Sequence, residues 1–258
     1  MNLLVHPLPA SLTCTPGDAL LSVVVPVRDE ADNIAALVGE IHAALVEVPH
    51  EVVYVDDGSS DGSAAILADA AAHGLLRWRR HRAGSGQSAA LVTGVTAARG
   101  VWIATLDGDG QNDPADIPRL LAHAAAGNPP PALVVGHRIR RRDSAVKRIS
   151  SRVANAVRAR LLGDSTPDTG CGLKLFRREV FLQLPQFDHM HRFLPALVLR
   201  AGGRVESVPV NHRPRRHGRS KYGTLDRLFA GLFDLVGVFW LQRRRQRVEV
   251  DVPEQPDP

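Results

Sequence analysis

Cysteine is scarce. Cys14 and Cys171 are the two in 258 residues, far apart, which excludes a disulfide framework and makes a reducing, cytosolic setting the natural expectation. Aromatic residues are few as well, at 5%, and the basic runs carry little aromatic interleaving. That argues against stacking platforms for single-stranded nucleic acid, so no nucleic-acid partner is expected. No stretch of about 18 or more uncharged apolar residues occurs, so a membrane-spanning helix is not expected. The N-terminal MNLLVHPLPASLTCTPGD also lacks the basic-then-apolar order of a secretory signal.

What is present is a globular composition. The apolar fraction is 44% and the charged fraction 23%, enough for a real core and too apolar for a disordered chain. Net charge is +5, and the base is clustered in RWRRHR (77–82), RIRRR (138–142), RPRRHGRSK (213–221) and RRRQR (243–247). Such clusters suit a phosphorylated ligand, an anionic membrane or a nucleic acid, although any one of them alone reads as a solvated face.

The first 140 residues alternate between two patterns. LLSVVVPV (20–27) is a continuous β-branched run, as a strand buried on both faces requires. Ile34, Leu37, Val38, Ile41 and Leu45 then recur at helical spacing, with Asp29 or Asp32 as the expected cap. EVVYV with a helix around 63–72 repeats the unit. LLRWRRH with a helix near 87–98, VWIATLD with a helix from Pro114, and ALVVGHR continue it. The alternation predicts an α/β fold with a mainly parallel sheet and helices on both faces. Ligands of such sheets bind outside the carboxyl ends of the strands, which here carry RDE, DDGS, DGDGQ and GHR.

Beyond residue 140 the pattern predicts a basic helix over 144–162, a strand at LKLFRR, a helix at FLPALVLRAGG and a strand at RVESVPVNHR. It predicts a last helix with Leu225, Leu228, Phe229, Leu232, Phe233, Val236, Phe239 and Trp240 on one side. Its apolar face and the adjoining RRRQR suit a membrane interface, and equally a core or homodimer contact. No internal repeat or linker is visible. The division expected is an extension over 1–19, one domain over 20–222, this helix over 223–247, and a disordered acidic, proline-rich tail over 248–258.

The chemistry is concentrated at DGDGQ. Asp107 and Asp109, ending an apolar strand, suit a divalent cation that bridges protein carboxylates to substrate phosphates. Mg2+ typically takes one or two protein carboxylates plus phosphate oxygens. Gln111 offers a further amide oxygen, and Gly108 and Gly110 permit close approach. The competing reading is an ordinary Asp/Gly turn. In DDGSSDG (56–62), a carboxylate can accept from ribose hydroxyls or a base N–H, with Asp57 towards the ligand while Ser59, Ser60 or Asp61 caps a helix. AGSGQ (83–87) fits no phosphate-loop pattern and reads as a flexible loop. The histidines, among them His137, His191, His212 and His217, lack metal-ligand spacing and read as surface groups or phosphate neighbours.

VVVPVRDEADNI, VVYVDDGSSDG, DGDGQNDP, DTGCGLKLFRREVF and RRHGRSKYG, in this order, resemble the family 2 glycosyltransferases, in the dolichyl- or polyprenyl-phosphate mannosyltransferase-like branch. The resemblance implies a GT-A fold, a donor such as GDP-mannose or a UDP-sugar, Mg2+ or Mn2+, and inverting transfer to a polyprenyl phosphate. A soluble sugar or growing glycan is the rival acceptor. It further implies Pro26, Arg28, Glu30, Val55, Asp57, Gly108 and Arg138 around the donor, and Asp107, Asp109 and Gln111 at the metal. Arg213, Arg215 and Ser220 would meet the acceptor phosphate, and Asp107, Asp109, Arg215 and Lys221 would carry catalysis. The implied place is peripheral, at the cytoplasmic face of the membrane.

Overall fold

The run LSVVVPV is buried at every position except Pro26, which is half-buried, because it forms the middle of a sheet covered on both faces. The computed structural model describes residues 21–139, 156–215 and 224–244, with the side chains of the last helix from Gly231 onward. The strands are β1 (Leu21–Val27), β2 (His50–Asp56), β3 (Arg77–Arg80), β4 (Trp102–Thr105), β5 (Leu133–Arg138), β6 (Lys174–Arg177) and β7 (Val205–Val210). They form one seven-stranded sheet in the order β3-β2-β1-β4-β6-β5-β7.

Every neighbouring pair is parallel except those made by β6, which runs antiparallel to both β4 and β5. The reversal has a consequence for the site. The parallel strands send their carboxyl ends to one rim, and β6 brings its amino end, with the preceding DTGCG turn, to the same rim. The sequence pattern foresaw the parallel frame but not this inversion, since a buried four-residue strand carries no mark of its direction.

Helices α1 (Ala31–Ala44), α2 (Ser63–Ala72), α3 (Gln87–Ala97) and α4 (Ile117–Ala126, after a 3-10 turn at Pro114–Asp116) follow the strands as expected. Residues 156–162 form α5, and the rest of the helix expected over 144–162 lies outside the described residues. α6 (Arg178–Leu182) and a 3-10 turn at Met190–Arg192, too short to show periodicity, precede α7 (Leu194–Arg200) and α8 (Thr224–Arg243). α1 buries Ile34, Leu37, Val38 and Ile41 in a cluster with Val23, Val25, Tyr54 and Trp102. On the other face Leu91 and Val95 of α3 join Val24, Ile103, Leu133, Phe176, Phe181 and Leu197.

Two local expectations are corrected. Neither Asp29 nor Asp32 caps α1: Asp29 has φ +52°, and the N–H of Ala31 donates instead to Asp61 of the next loop at 3.2 Å. The N–H of Asp29 donates to Ser59 Oγ, and Ser60 N–H donates back to Asp29 Oδ1 at 2.7 Å. DDGSSDG thus clasps the β1–α1 loop. α8 is the second case. Val238 is buried, with Leu235, Phe239 and Leu241 packed on the core, whereas Leu232, Phe233, Val236 and Trp240 are exposed. The helix has apolar residues on two faces, with Phe239 on the inner one. Leu225, Leu228 and Phe229 have no described side chains, and the 1–19 extension and 248–258 tail lie outside the described residues.

Candidate active site

Asp107 leaves β4 half-buried, and its surroundings are built from four elements. Gln87, the first residue of α3, donates from Nε2 to Asp107 Oδ1 at 2.8 Å. The Asp107 N–H donates to the buried Asn112 Oδ1 at 3.0 Å. Gly172 closes the other side: a Cβ there would lie 2.2 Å from Asp107 Oδ2 and 2.7 Å from Asn112 Oδ1, so a side chain could enter only by displacing the carboxylate. Burial, and then the neighbouring Asp109 charge, push the Asp107 carboxyl above its usual range. Lys174, itself buried, donates to the Cys171 carbonyl. Burial pushes this ammonium below its usual range, against the pull of Asp107 and Asp168.

Asp109 is 7% exposed. Its Oδ1 accepts the Gln111 N–H at 3.1 Å and its Oδ2 accepts Arg215 Nη2 at 2.5 Å. Arg215 arrives from the chain after β7. Asn112 bridges to His212, and the Arg213 N–H donates to the Gln111 carbonyl at 2.9 Å. The Arg213 guanidinium donates to Glu40 at 2.5 Å and to Asp113 at 2.6 Å. Partial burial disfavours the Arg215 charge, but Asp109, with Glu30 and Asp107, outweighs it and raises its pKa. Beneath Asp107 a small pocket is lined by Pro26, Gln87, Thr105, Lys174 and His191, among others.

The structure gathers part of the predicted set at the rim and shows the described remainder engaged with protein partners. Pro26, Asp107, Asp109, Gln111 and Arg215 share the rim, and Arg28 lies against Gly84 of the neighbouring loop. Glu30 accepts from Asn33 Nδ2 at 2.7 Å. Asp57, expected beside the donor, is held by the following loop. Its Oδ1 accepts His81 Nδ1 and the Ser85 N–H, both at 2.7 Å, and its Oδ2 accepts the Gly86 N–H at 2.9 Å. AGSGQ is therefore a pinned loop rather than a flexible one, and its last residue is the Gln87 that supports Asp107. Val55 is fully buried on the face covered by α3, near Gly94, because alternate strand residues point to opposite faces.

Gly108 packs under β1, where a Cβ would lie 2.5 Å from Val27 Cγ1; its smallness serves the sheet. Arg138 binds Asp168 in a fork, at 2.6 and 2.7 Å, fixing the DTGCG turn. Arg213, expected at the acceptor phosphate, ties α1 to the Asp113 turn through Glu40 and Asp113. Ser220 and Lys221 lie outside the described residues.

Sequence reasoning missed Gln87, Asn112 and Lys174, and it read His191 as a surface group or phosphate neighbour, whereas His191 is half-buried and lines the pocket beside Lys174. His191 Nδ1 and Ser88 Oγ are hydrogen-bonded at 2.8 Å, and burial, aided by Lys174, pushes the His191 pKa well below 6.5, leaving it neutral. No spacing marks these residues, since each comes from a different element. QNDP directly after DGDG was the available signal for Asn112.

The donor set fits a hard divalent cation. Among the described residues no cluster of three or more His, Cys, Asp or Glu forms a protein cage. What stands there is two carboxylates with an amide beside them, the number Mg2+ takes when phosphates complete its shell.

Residues 22–184 match the family model described as Glycosyl transferase family 2. The chain belongs to that family. A dodecaprenyl-phosphate galacturonate synthase of Rhizobium johnstonii is 38% identical over 237 residues, 88% of this chain and 68% of that protein. An undecaprenyl-phosphate 4-deoxy-4-formamido-L-arabinose transferase of Edwardsiella ictaluri is 37% identical over 84% of this chain and 66% of its own length. The chain thus spans about two thirds of the length of these family 2 relatives. Among solved structures, a mannosyl-3-phosphoglycerate synthase from Rubrobacter xylanophilus aligns over 92% of this chain and 79% of that one, with TM-score 0.67 and 21% identity. A glucosyl-3-phosphoglycerate synthase from Mycobacterium tuberculosis, solved with Mn2+, UDP and glucosyl-3-phosphoglycerate, aligns over 88% and 80% with TM-score 0.64 and 22% identity. These likenesses establish the GT-A architecture for this family 2 chain.

Proposed function

We propose that the chain transfers a sugar from a nucleotide-sugar donor to a polyprenyl phosphate, in a single inverting displacement assisted by Mg2+ or Mn2+. The observation that carries the reading is the strand end at which Asp107 and Asp109 stand together, faced by Arg215 from a basic segment. The names of the curated relatives support the acceptor class. The cation, held by Asp107 and Asp109 with Gln111 or Asn112 nearby, would supply charge stabilisation to the leaving diphosphate.

The residues divide the remaining work. A lipid monophosphate is largely dianionic at pH 7, since its second pKa is about 6, and can attack the anomeric carbon without a strong base. Alignment and relief of repulsion between two anions are what the enzyme must add. Gln87 holds the Asp107 carboxylate, Asn112 holds its main-chain N–H and Gly172 leaves it room, while Arg215 offers a planar donor fork for a phosphate. Leu91 and Leu194 line the apolar side of the small pocket beside Asp107.

Peripheral attachment at the cytoplasmic membrane face fits the exposed Leu232, Phe233, Val236 and Trp240 of α8, with Arg243 stacked over Phe239 and Arg244 over Trp240. Among the described residues no helix is long and apolar enough to cross a membrane.

The test is incubation with radiolabelled UDP- and GDP-sugars, Mn2+ and undecaprenyl phosphate, followed by organic extraction. Label in the organic phase is expected, with Asp107→Asn lowering it by about a hundredfold or more. Label confined to water-soluble product would replace the lipid acceptor with a soluble one, and activity unchanged in Asp107→Asn would remove the metal reading.

A further inference from the structure

Both oxygens of the Asp109 carboxylate are already engaged, Oδ1 by the Gln111 N–H and Oδ2 by the Arg215 guanidinium. The Asp109 side chain is 10% exposed, so little room remains for a third partner beside the guanidinium. We infer that Arg215 and the divalent cation are alternative counter-ions of Asp109, and that the nucleotide diphosphate releases one for the other. The inference rests on the proposed metal-assisted transfer and adds an order to it.

The geometry confines the exchange to one side chain. Arg213 is tied to Glu40, to Asp113 and, through its main chain, to Gln111. Pro214, with its fixed φ, leads directly to Arg215. The backbone beside Asp109 is thus anchored, while the Arg215 side chain keeps 29% exposure and a long stem. A cation at Asp109 would place a second positive charge against the guanidinium beside the same carboxylate. A diphosphate resolves the conflict, because its oxygens can accept the guanidinium fork and share the cation. The cation alone should bind weakly, and cation and diphosphate should strengthen each other by the same factor in either order.

The experiment measures Mn2+ uptake by the full chain through loss of the free-ion electron paramagnetic resonance signal, with no nucleotide and then with UDP and GDP in turn. Arg215→Gln is expected to bind Mn2+ alone about tenfold more tightly than the wild type, the size of a largely buried charged pair removed. Its gain from nucleotide should shrink accordingly. Arg215→Lys, which keeps the charge, should bind Mn2+ alone as weakly as the wild type. Arg215→Gln binding Mn2+ equally or more weakly, while wild type binds it with nucleotide, would overturn the exchange and leave the metal site standing. Wild type failing to bind Mn2+ even with UDP or GDP, or Asp109→Asn binding as wild type does, would overturn the metal site itself. Circular dichroism of each variant separates these results from misfolding.

Discussion

Replacing Asp57 with asparagine separates two roles that the sequence leaves open. As a ligand contact, Asp57 could be neutralised with little effect on the unliganded protein. In the structure it is 5% exposed and takes three hydrogen bonds, from His81 Nδ1, Ser85 N–H and Gly86 N–H. Asparagine keeps one oxygen. With that oxygen towards His81 and Ser85, the amide NH2 faces the Gly86 N–H, donor against donor. An unsatisfied buried donor costs about 1–3 kcal/mol, and the two surviving bonds lose their charge assistance, roughly 1 kcal/mol more between them. The sum is about 3 kcal/mol. For a chain of this size each kcal/mol moves Tm by about 2–4 °C, so Asp57→Asn should melt roughly 6–12 °C lower. Thermal denaturation of the ligand-free protein, followed by circular dichroism, is the assay. A Tm unchanged within about 1 °C, together with a raised KM for the donor, would refute the anchoring argument and restore Asp57 to the ligand.

Three other predictions follow from particular contacts. Gly172→Ala puts a methyl 2.2 Å from Asp107 Oδ2, an overpacking of about 1–3 kcal/mol. Transferase activity should fall at least about tenfold in a protein that still folds, and wild-type activity would show that the turn yields. Burial alone would raise the Glu51 carboxyl, but hydrogen bonds from Ser22, the Arg99 N–H and Arg77 hold it below its ordinary 4.5. Its stabilising contribution is therefore complete above that ordinary value and disappears as pH falls through the lower folded-state pKa. Urea unfolding should show a smaller acid loss for Glu51→Gln than for wild type, and equal losses would contradict this. Phe233→Glu with Trp240→Glu should weaken flotation with anionic vesicles while leaving Tm within about 2 °C, since both side chains are exposed. Unchanged flotation would turn attention to a protein partner for that face.

The strands and long helices were legible because burial on two faces demands unbroken apolar runs, and burial on one face demands a 3.6-residue period. Asp107, Asp109 and the rim they occupy were legible for a related reason. Charges that end an apolar strand in a parallel sheet have only one edge to reach. Asp57 shows the limit. DDGS fixes where the carboxylate stands, but whether its oxygens meet a ribose or the N–H groups of residues 85 and 86 depends on a loop some 28 positions away.

What the sequence by itself determined is the α/β alternation, the acidic rim and the membership these motifs imply, since all of these are carried by short spacings along one chain. Only the tertiary structure decided the reversal of β6, the support of Asp107 by Gln87, Asn112 and Gly172, the latch made by Arg213, and the pairing of Arg215 with Asp109. Apart from the Asn112 contact, five residues from Asp107, each of these joins segments separated by some 20 residues or more. A guanidinium or amide is chosen as a partner by distance and burial in the folded chain, quantities to which sequence spacing is blind.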